Sequence, residues 1–300
     1  MSKPRKVIPG RTYLLTRRCV SRRFLLTPSV QKINEIFLFC LAHAAAKYRV
    51  ELHAAVCLGN HYHIVATDLE GRTPRFMHWF NEFVAKCVNV ERGRWGALWE
   101  PEGYSAVVLV ENDDVLDKML YTLANPVEAG LVRYGNEWPG FRSDPDDFCR
   151  RVYVARRPRF FSPTGDLPER VKVRFVKPRR YAHLTDGEYR ELVTEKCEVR
   201  EKAIQDRFRR EGRKFLGVLK VRTQNPEARP ASHEETRGMY PSIACKRKWP
   251  RIEEIEEHER FQKEYRSALD RHRNGEEGVV FPEGTWWMRV FFKVRCHPLP

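Results

Sequence analysis

Residues 50–67 read VELHAAVCLGNHYHIVAT, and the prediction of the fold starts from this stretch. Two runs rich in aliphatic and β-branched residues, 50–58 and 62–67, flank the dipeptide Gly59-Asn60. A turn dipeptide between two such runs predicts an antiparallel hairpin. The motif His61-Tyr62-His63 then falls at the start of the second strand. Because side chains alternate along a strand, both histidines project from the same face of the sheet.

The elements on either side of this hairpin extend the pattern. Residues 11–19 predict a strand, and apolar residues at three- and four-residue steps, beginning with Val30, predict a helix capped by Thr27 or Ser29. A second amphipathic helix follows Pro74, and residues 105–110 predict a fourth strand. The order β-α-β-β-α-β suits an α+β fold, the ferredoxin-like split β-α-β sandwich, with a four-stranded antiparallel sheet and helices on one face.

A third helix and a basic extension complete the predicted organisation. The helix begins near Asp113-Asp114, whose charges favour a helix N-terminus, and ends before Asn125-Pro126, with Gly130 beyond it. We expect a catalytic domain at residues 1–148, a basic linker rich in proline and arginine at 149–185, and a charged, mainly helical region of unknown role at 186–300.

Within the last region, the pattern predicts long charged helices at residues 186–214 and 251–273. Residues 279–296, VVFPEGTWWMRVFFKVRC, indicate a closing hydrophobic strand or hairpin.

Charge indicates the class of partner. The formal net charge is +15 and the isoelectric point is about 9.6, so counterion release favours binding to a polyanion, with nucleic acid as the leading class. A basic protein that binds nothing in particular is the alternative. The eight cysteines form no C-x-x-C pair or zinc-finger spacing. No apolar run reaches the ~20 residues of a membrane span, so we expect a cytoplasmic protein without a membrane partner.

Two histidines separated by one residue on a strand can bind one metal ion between them. Imidazole binds divalent transition metals, and it can bind Mg²⁺ or Mn²⁺ when phosphate oxygens and water complete the coordination. An isolated H-x-H motif is weak evidence, because ordinary packed or exposed histidines show the same spacing. Other residues have to support the assignment.

Tyr121 and Asn125 are four residues apart on the third helix, so they share one side of it. A phenol beside an amide oxygen can present a nucleophile and a third metal ligand together. The structural alternative is that Tyr121 extends the apolar face of Leu116 and Leu120, while Asn125 ends the helix before Pro126.

Together these motifs resemble a known family. The run from Gly59 to Ile64 (GNHYHI) and the later run from Tyr121 to Val132 (YTLANPVEAGLV) look like the single-tyrosine HUH transposases of the IS200 type. The nearest branch is that of the REP-associated tyrosine transposases. Trp138-Pro139 with Ser143 resembles a tryptophan-proline-serine stretch in that family. The resemblance covers roughly residues 8–143, and Gly59 stands where the family usually has proline.

The resemblance implies both a site and a reaction. His61 and His63 correspond to the metal-ligand histidines, Asn125 to the additional ligand for Mg²⁺ or Mn²⁺, and Tyr121 to the nucleophile. Tyr121 would attack a phosphate of single-stranded or hairpin DNA, leaving a 5′-phosphotyrosine link and a free 3′-hydroxyl, and a 3′-hydroxyl would reverse the step. The bound ion would neutralise the non-bridging oxygens.

Four arginines are candidate DNA contacts, with a solvated positive strand edge as the alternative: Arg17, Arg18, Arg22 and Arg23. Two other functions remain open. One is a domesticated protein that binds structured single strands without cutting them, and the other is a hydrolase in which His61 and His63 activate water. The sequence leaves the choice between monomer and homodimer open.

Overall fold

The computed structural model describes residues 4–29, 31–231 and 242–299. Its first half contains these helices and strands: β1 (Thr12–Arg18), α1 (Gln31–Tyr48), β2 (Val50–Cys57), β3 (His61–Asp68), α2 (Thr73–Arg92), β4 (Ser105–Leu109) and α3 (Asn112–Glu128). The second half contains β5 (Tyr153–Arg156), β6 (Arg170–Val173), α4 (Asp186–Arg210), α5 (Val218–Arg222), β7 (Ile243–Ala244), α6 (Lys248–Arg273), β8 (Val280–Phe281), α7 (Trp287–Phe291) and β9 (Arg295–Cys296). The fold is therefore mixed α+β.

The central sheet has the order β2-β3-β1-β4-β7. Its first four strands are all antiparallel, and β2 and β3 form the predicted hairpin. The four-stranded prediction is wrong in one respect, since β7 adds a fifth strand parallel to β4. This strand comes from residues 243–244, which cover the open edge of β4, so a pattern within the first 110 residues could not show it.

Helices cover both faces of the sheet, and not one face as predicted. Tyr62 of β3 packs against Phe37 of α1 and Phe80 of α2, with ring centroids 5.8 and 5.2 Å apart. On the opposite face, α3 packs against β2 and β3 and is itself covered by α4. The α1 and α2 side contains much of the hydrophobic core, and the α3 side contains the two histidines of β3.

The end of α3 departs from the sequence prediction, whereas the first expected apolar position of α1 cannot be compared with it. Val30, the first apolar position expected in α1, lies outside the described residues. The third helix does not end before Asn125-Pro126 but continues to Glu128, with Pro126 inside it. Proline removes one donor without stopping the last turn, because the following amides still find acceptors: Ala129 donates to the carbonyl of Asn125 at 2.9 Å.

The residues expected to form a linker contain the paired strands β5 and β6, which pack on α1. Ala155, Val171 and Phe175 of this stretch are buried in the main core. Near the C-terminus, the expected strand or hairpin is instead the short parallel pair β8 and β9 joined through α7. Every helix in the described parts of the chain is too short or too polar for a transmembrane span.

Candidate active site

His61 and His63 lie side by side on the sheet face that α3 covers. Their ring centroids are 4.9 Å apart, with the ring planes nearly perpendicular at 87°. Tyr62 between them points to the opposite face, into the core of α1 and α2. The alternation of the strand therefore separates one packing residue from two chemically useful ones.

A threonine on the neighbouring strand holds His63. Thr16 of β1 pairs with His63 in the strand register, and its Oγ1 lies 2.8 Å from His63 Nδ1. Burial lowers the pKa of His63 well below its usual value, and the nearby His61 and Arg18 lower it further. The ring is therefore neutral and keeps one lone pair. When Nδ1 donates to Thr16, that lone pair is on Nε2, which is buried and has no hydrogen-bond partner.

An asparagine in the hairpin turn holds His61 in the same way. The side-chain nitrogen of Asn60 donates to the carbonyl of Arg22 at 3.2 Å, which turns its Oδ1 towards His61. This Oδ1 accepts from His61 Nδ1 at 2.7 Å. A neutral imidazole that donates from Nδ1 has its lone pair on Nε2, and this is the nitrogen through which such a histidine binds a metal.

Tyr121 of α3 completes the group on this face of the sheet. Its ring centroid lies 5.1 Å from that of His63, and Asn125 follows one turn later on the same helix. Burial raises the pKa of Tyr121, while the side chain of Asn125 and the positive charge of Arg18 oppose the rise. The phenol is therefore protonated at neutral pH, and a cation close to its oxygen would favour the phenolate.

Two further cations flank the tyrosine ring. Lys118 Nζ lies 5.8 Å and Arg200 Cζ 5.9 Å from the ring centroid of Tyr121. Arg200 comes from α4, outside the stretch that carries the family resemblance, and Asp117 pairs with it at 3.4 Å. Asp117 also pairs with Lys118 at 3.1 Å, and Glu128 acts on the phenol as well. With Arg18, the three cations still outnumber these two carboxylates, which suits a phosphate diester as the ligand.

These residues fit a divalent metal ion. A buried histidine nitrogen without a partner is costly unless a ligand engages it, and His63 Nε2 is such an atom beside Tyr121. His61 and Asn125 would supply a second nitrogen and a carboxamide oxygen, and imidazole with oxygen ligands suits Mn²⁺ and, with water and phosphate, Mg²⁺.

A second group of residues could also bind an ion. Ligand atoms of Glu111, Asp114 and Cys245 lie within 4.8 Å of one another. Both carboxylates are already engaged at the start of α3, where Asp114 accepts from the backbone N–H groups of Glu111 (3.0 Å) and Lys246 (2.8 Å). Capping of α3 explains this cluster, and it includes none of the predicted metal ligands.

The structure distributes the four predicted DNA-binding arginines over different surroundings. Arg18 is opposite His61 in the strand register and acts electrostatically on His63 and Tyr121. Arg17 lies over the ring of Trp99, with its Cζ 5.6 Å from the centroid, and Arg23 pairs with Glu227 at 2.9 Å. The backbone carbonyl of Arg22 orients Asn60. Arg18 is thus brought to the histidine and tyrosine site.

Sequence reasoning did not identify Thr16, Asn60 or Arg200 as part of this site. The sequence predicts Asn60 only as a turn residue, although its position directly before His61 indicates that the two side chains can contact each other. Thr16 and Arg200 gave no local signal, because their positions depend on the register of β1 with β3 and on the packing of α4 over α3.

No protein-family model matches the chain, and neither does any curated protein. Solved structures of two transposases are among those similar to it. The structure of a REP-associated tyrosine transposase bound to a REP hairpin has 21% identity and a TM-score of 0.41, covering 49% of this chain and 85% of that one. A putative transposase from Deinococcus radiodurans R1 has 18% identity and a TM-score of 0.27, covering 36% and 85%. Both neighbours are transposases, the class that the sequence motifs resemble, but similarities of this size assign no chemistry to this chain.

Proposed function

We propose that this chain cleaves and rejoins single-stranded DNA through a covalent link to Tyr121, with a Mg²⁺ or Mn²⁺ ion bound by His61, His63 and Asn125. One observation carries the proposal. The buried Nε2 of His63 has no hydrogen-bond partner, and its ring lies 5.1 Å from the ring of Tyr121. The proposed metal ligand and the proposed nucleophile come from segments almost sixty residues apart, and both side chains lie on one face of the sheet.

Tyr121, Lys118 and Arg200 have different roles in the proposed reaction. The Tyr121 oxygen attacks phosphorus, the new O–P bond forms as the P–O3′ bond breaks, and the phenol proton is lost while the 3′-oxygen gains one. Lys118 and Arg200 flank the phenol and attract the phosphate diester. When bound, the ion supplies charge neutralisation at the non-bridging oxygens. Rejoining is the reverse reaction with a 3′-hydroxyl.

The proposal also concerns the organisation of the chain. Residues 1–148 supply every residue of the proposed metal site and the nucleophile, and we assign to them a ferredoxin-like catalytic core. The strand order β2-β3-β1-β4 supports this assignment. Residues 149–185 connect this core to the charged region 186–300, whose helix α4 contributes Arg200. The net charge of +15 supports DNA as the partner.

A labelled single strand with a hairpin, incubated with Mn²⁺ or Mg²⁺ and analysed on a denaturing gel, tests the proposal. We expect wild-type protein to release a shortened strand and to form a covalent protein–DNA band. Tyr121→Phe should abolish both and still bind the strand. Tyr134→Phe is the matched control, since Tyr134 is a surface tyrosine past the end of α3, and it should cleave normally.

The same gel separates the two alternative functions. Cleavage without a covalent band, retained by Tyr121→Phe, would identify a hydrolase that uses activated water. Tight, salt-sensitive binding without cleavage in either metal would identify a DNA-binding protein that does not cut. Analytical ultracentrifugation of the active sample would decide between a monomer and a homodimer.

A further inference from the structure

Three aromatic side chains cluster near the C-terminus, and together we call them the aromatic patch: Trp286, Trp287 and Phe291. The exposed Phe292 follows them directly in the sequence. Trp287, Phe291 and Phe292 are 56%, 56% and 59% exposed. The rings of Trp287 and Phe291 contact each other, with centroids 4.2 Å apart, and Trp286 lies 5.9 Å from Phe291. Large side chains that are exposed singly are common, whereas a contiguous exposed group marks an interaction site.

The backbone that carries the patch is anchored to a small core. Met288, on the inner side of α7, is 5% exposed and packs in a cluster with Phe281, Phe261 and Tyr265. Within the turn, the Phe292 N–H donates to the carbonyl of Met288 at 2.9 Å. Met288 of α7 is therefore buried, whereas Trp287 and Phe291 of the same helix are at the surface.

The surroundings of the patch are positively charged. Arg289, Lys293 and Arg295 are exposed, and none of them forms an ion pair or a side-chain hydrogen bond with the described residues. Residues 284–300 contain no acidic residue. The aromatic rings are thus accompanied in the sequence by three cations that have no ion-pair partner among the described residues, since the preceding Glu283 pairs with Lys6.

We propose that the aromatic patch binds unpaired bases of single-stranded DNA by stacking, while Arg289, Lys293 and Arg295 contact the phosphates. This inference rests on the proposed function for its class of ligand. Every DNA base has a face that stacks on an aromatic ring, and a positively charged segment can follow the phosphates of the same strand. The three cations favour a polyanion as the partner, because neutralising phosphates releases condensed counterions.

The patch belongs to a part of the chain anchored away from the histidines. The segment before α7 joins the N-terminal segment, where the Val7 N–H donates to the carbonyl of Gly284 at 2.9 Å. Val7 precedes the Thr12 end of β1, whereas His61 is paired with Arg18 at the other end. The seven residues of β1 separate the two ends by roughly 20 Å. The patch therefore provides a second contact on a strand whose scissile phosphate is elsewhere.

Fluorescence anisotropy with two probes tests the proposal: a labelled oligothymidylate of about 20 nucleotides and an abasic strand with the same phosphates. We expect Trp287→Ala and Phe291→Ala each to weaken oligothymidylate binding by roughly 5- to 100-fold and to leave abasic binding nearly unchanged. Trp287→Phe should retain most of the affinity. Trp249→Ala is the matched control, because Trp249 is 69% exposed on α6 and should not affect binding.

A companion variant tests the cations. Replacing Arg289, Lys293 and Arg295 with Gln should reduce the slope of log affinity against log salt by about 2 for both probes, since each phosphate contact on a single strand contributes ~0.7. Unchanged affinity in the Ala variants, or an equal loss for both probes, would refute stacking. A wild-type dimer that the Ala variants convert to monomers would assign the patch to self-association and also refute it.

These measurements do not depend on cleavage. Loss of the covalent band in the gel assay with intact, base-dependent binding would contradict the proposed reaction and leave the patch assignment standing. Normal cleavage with no difference between the two probes would do the opposite.

Discussion

Thr16→Val tests whether the hydroxyl beside His63 prepares that histidine to bind a metal ion. Valine has the same shape as threonine but cannot accept the hydrogen bond of 2.8 Å from His63 Nδ1. A buried donor left without a partner costs about 1 to 3 kcal/mol in the free energy of unfolding. Loss of the group that orients a metal-ligand histidine lowers metal affinity by roughly 10- to 100-fold. Thr16→Val should therefore need that much more Mn²⁺ for half-maximal cleavage.

Thr12→Val is the matched control on the same strand and face. It removes a buried hydrogen bond of 2.7 Å to Thr67 Oγ1 but does not touch His63. Both variants should lose similar stability in urea unfolding, measured by circular dichroism. Electron paramagnetic resonance of free Mn²⁺ then reports binding without DNA. Equal Mn²⁺ affinities in the two variants would show that the Thr16 hydroxyl has only a structural role, and would refute the assignment of His63 Nε2 as a prepared ligand.

Three further predictions concern stability and metal removal. Burial lowers the pKa of His53 to about 4, so the unfolded chain takes up the proton first as the pH falls. The free energy of unfolding should therefore decrease by about 3 kcal/mol between pH 6.5 and pH 4. In urea unfolding at several pH values, His53→Gln should show a smaller decrease over this range. Gly140→Ala should lower the free energy of unfolding by about 1 to 3 kcal/mol. The added Cβ would clash with Trp138 Nε1 and lie 2.9 Å from the Cys57 carbonyl oxygen, and these two atoms form a hydrogen bond with each other. An unchanged melting curve would contradict this. EDTA should stop cleavage in the gel assay and Mn²⁺ should restore it, whereas activity that persists in EDTA would exclude a metal-dependent reaction.

The parts of the fold that were predictable depend on short-range patterns. The turn at Gly59-Asn60 and the two runs beside it specify a hairpin, and both strands form as expected. The charged helices of the second half begin or end within a few residues of their expected bounds. Pro126 misled the prediction for the end of α3, because a proline in the last turns of a helix removes a hydrogen bond without preventing the helical backbone from continuing.

The remaining features depend on contacts between segments distant in sequence. The strand β7 and the packing of α4 over α3 bring residues beyond 185 to the N-terminal half. In the candidate site, spacing alone placed His61 with His63 and Tyr121 with Asn125. The approach of one pair to the other, and the support of His63 by Thr16, required the register of β1 with β3 and the packing of α3 on the sheet.

Mass spectrometry of the covalent protein–DNA product tests directly whether Tyr121 forms the link to DNA. Trypsin cleaves after Lys118 and Arg133, so Tyr121 lies alone among tyrosines in the peptide 119–133. After nuclease digestion of the attached strand, we expect this peptide to carry a nucleotide 5′-phosphate on Tyr121. A nucleotide attached to any other residue, or cleavage with no modified peptide, would contradict it.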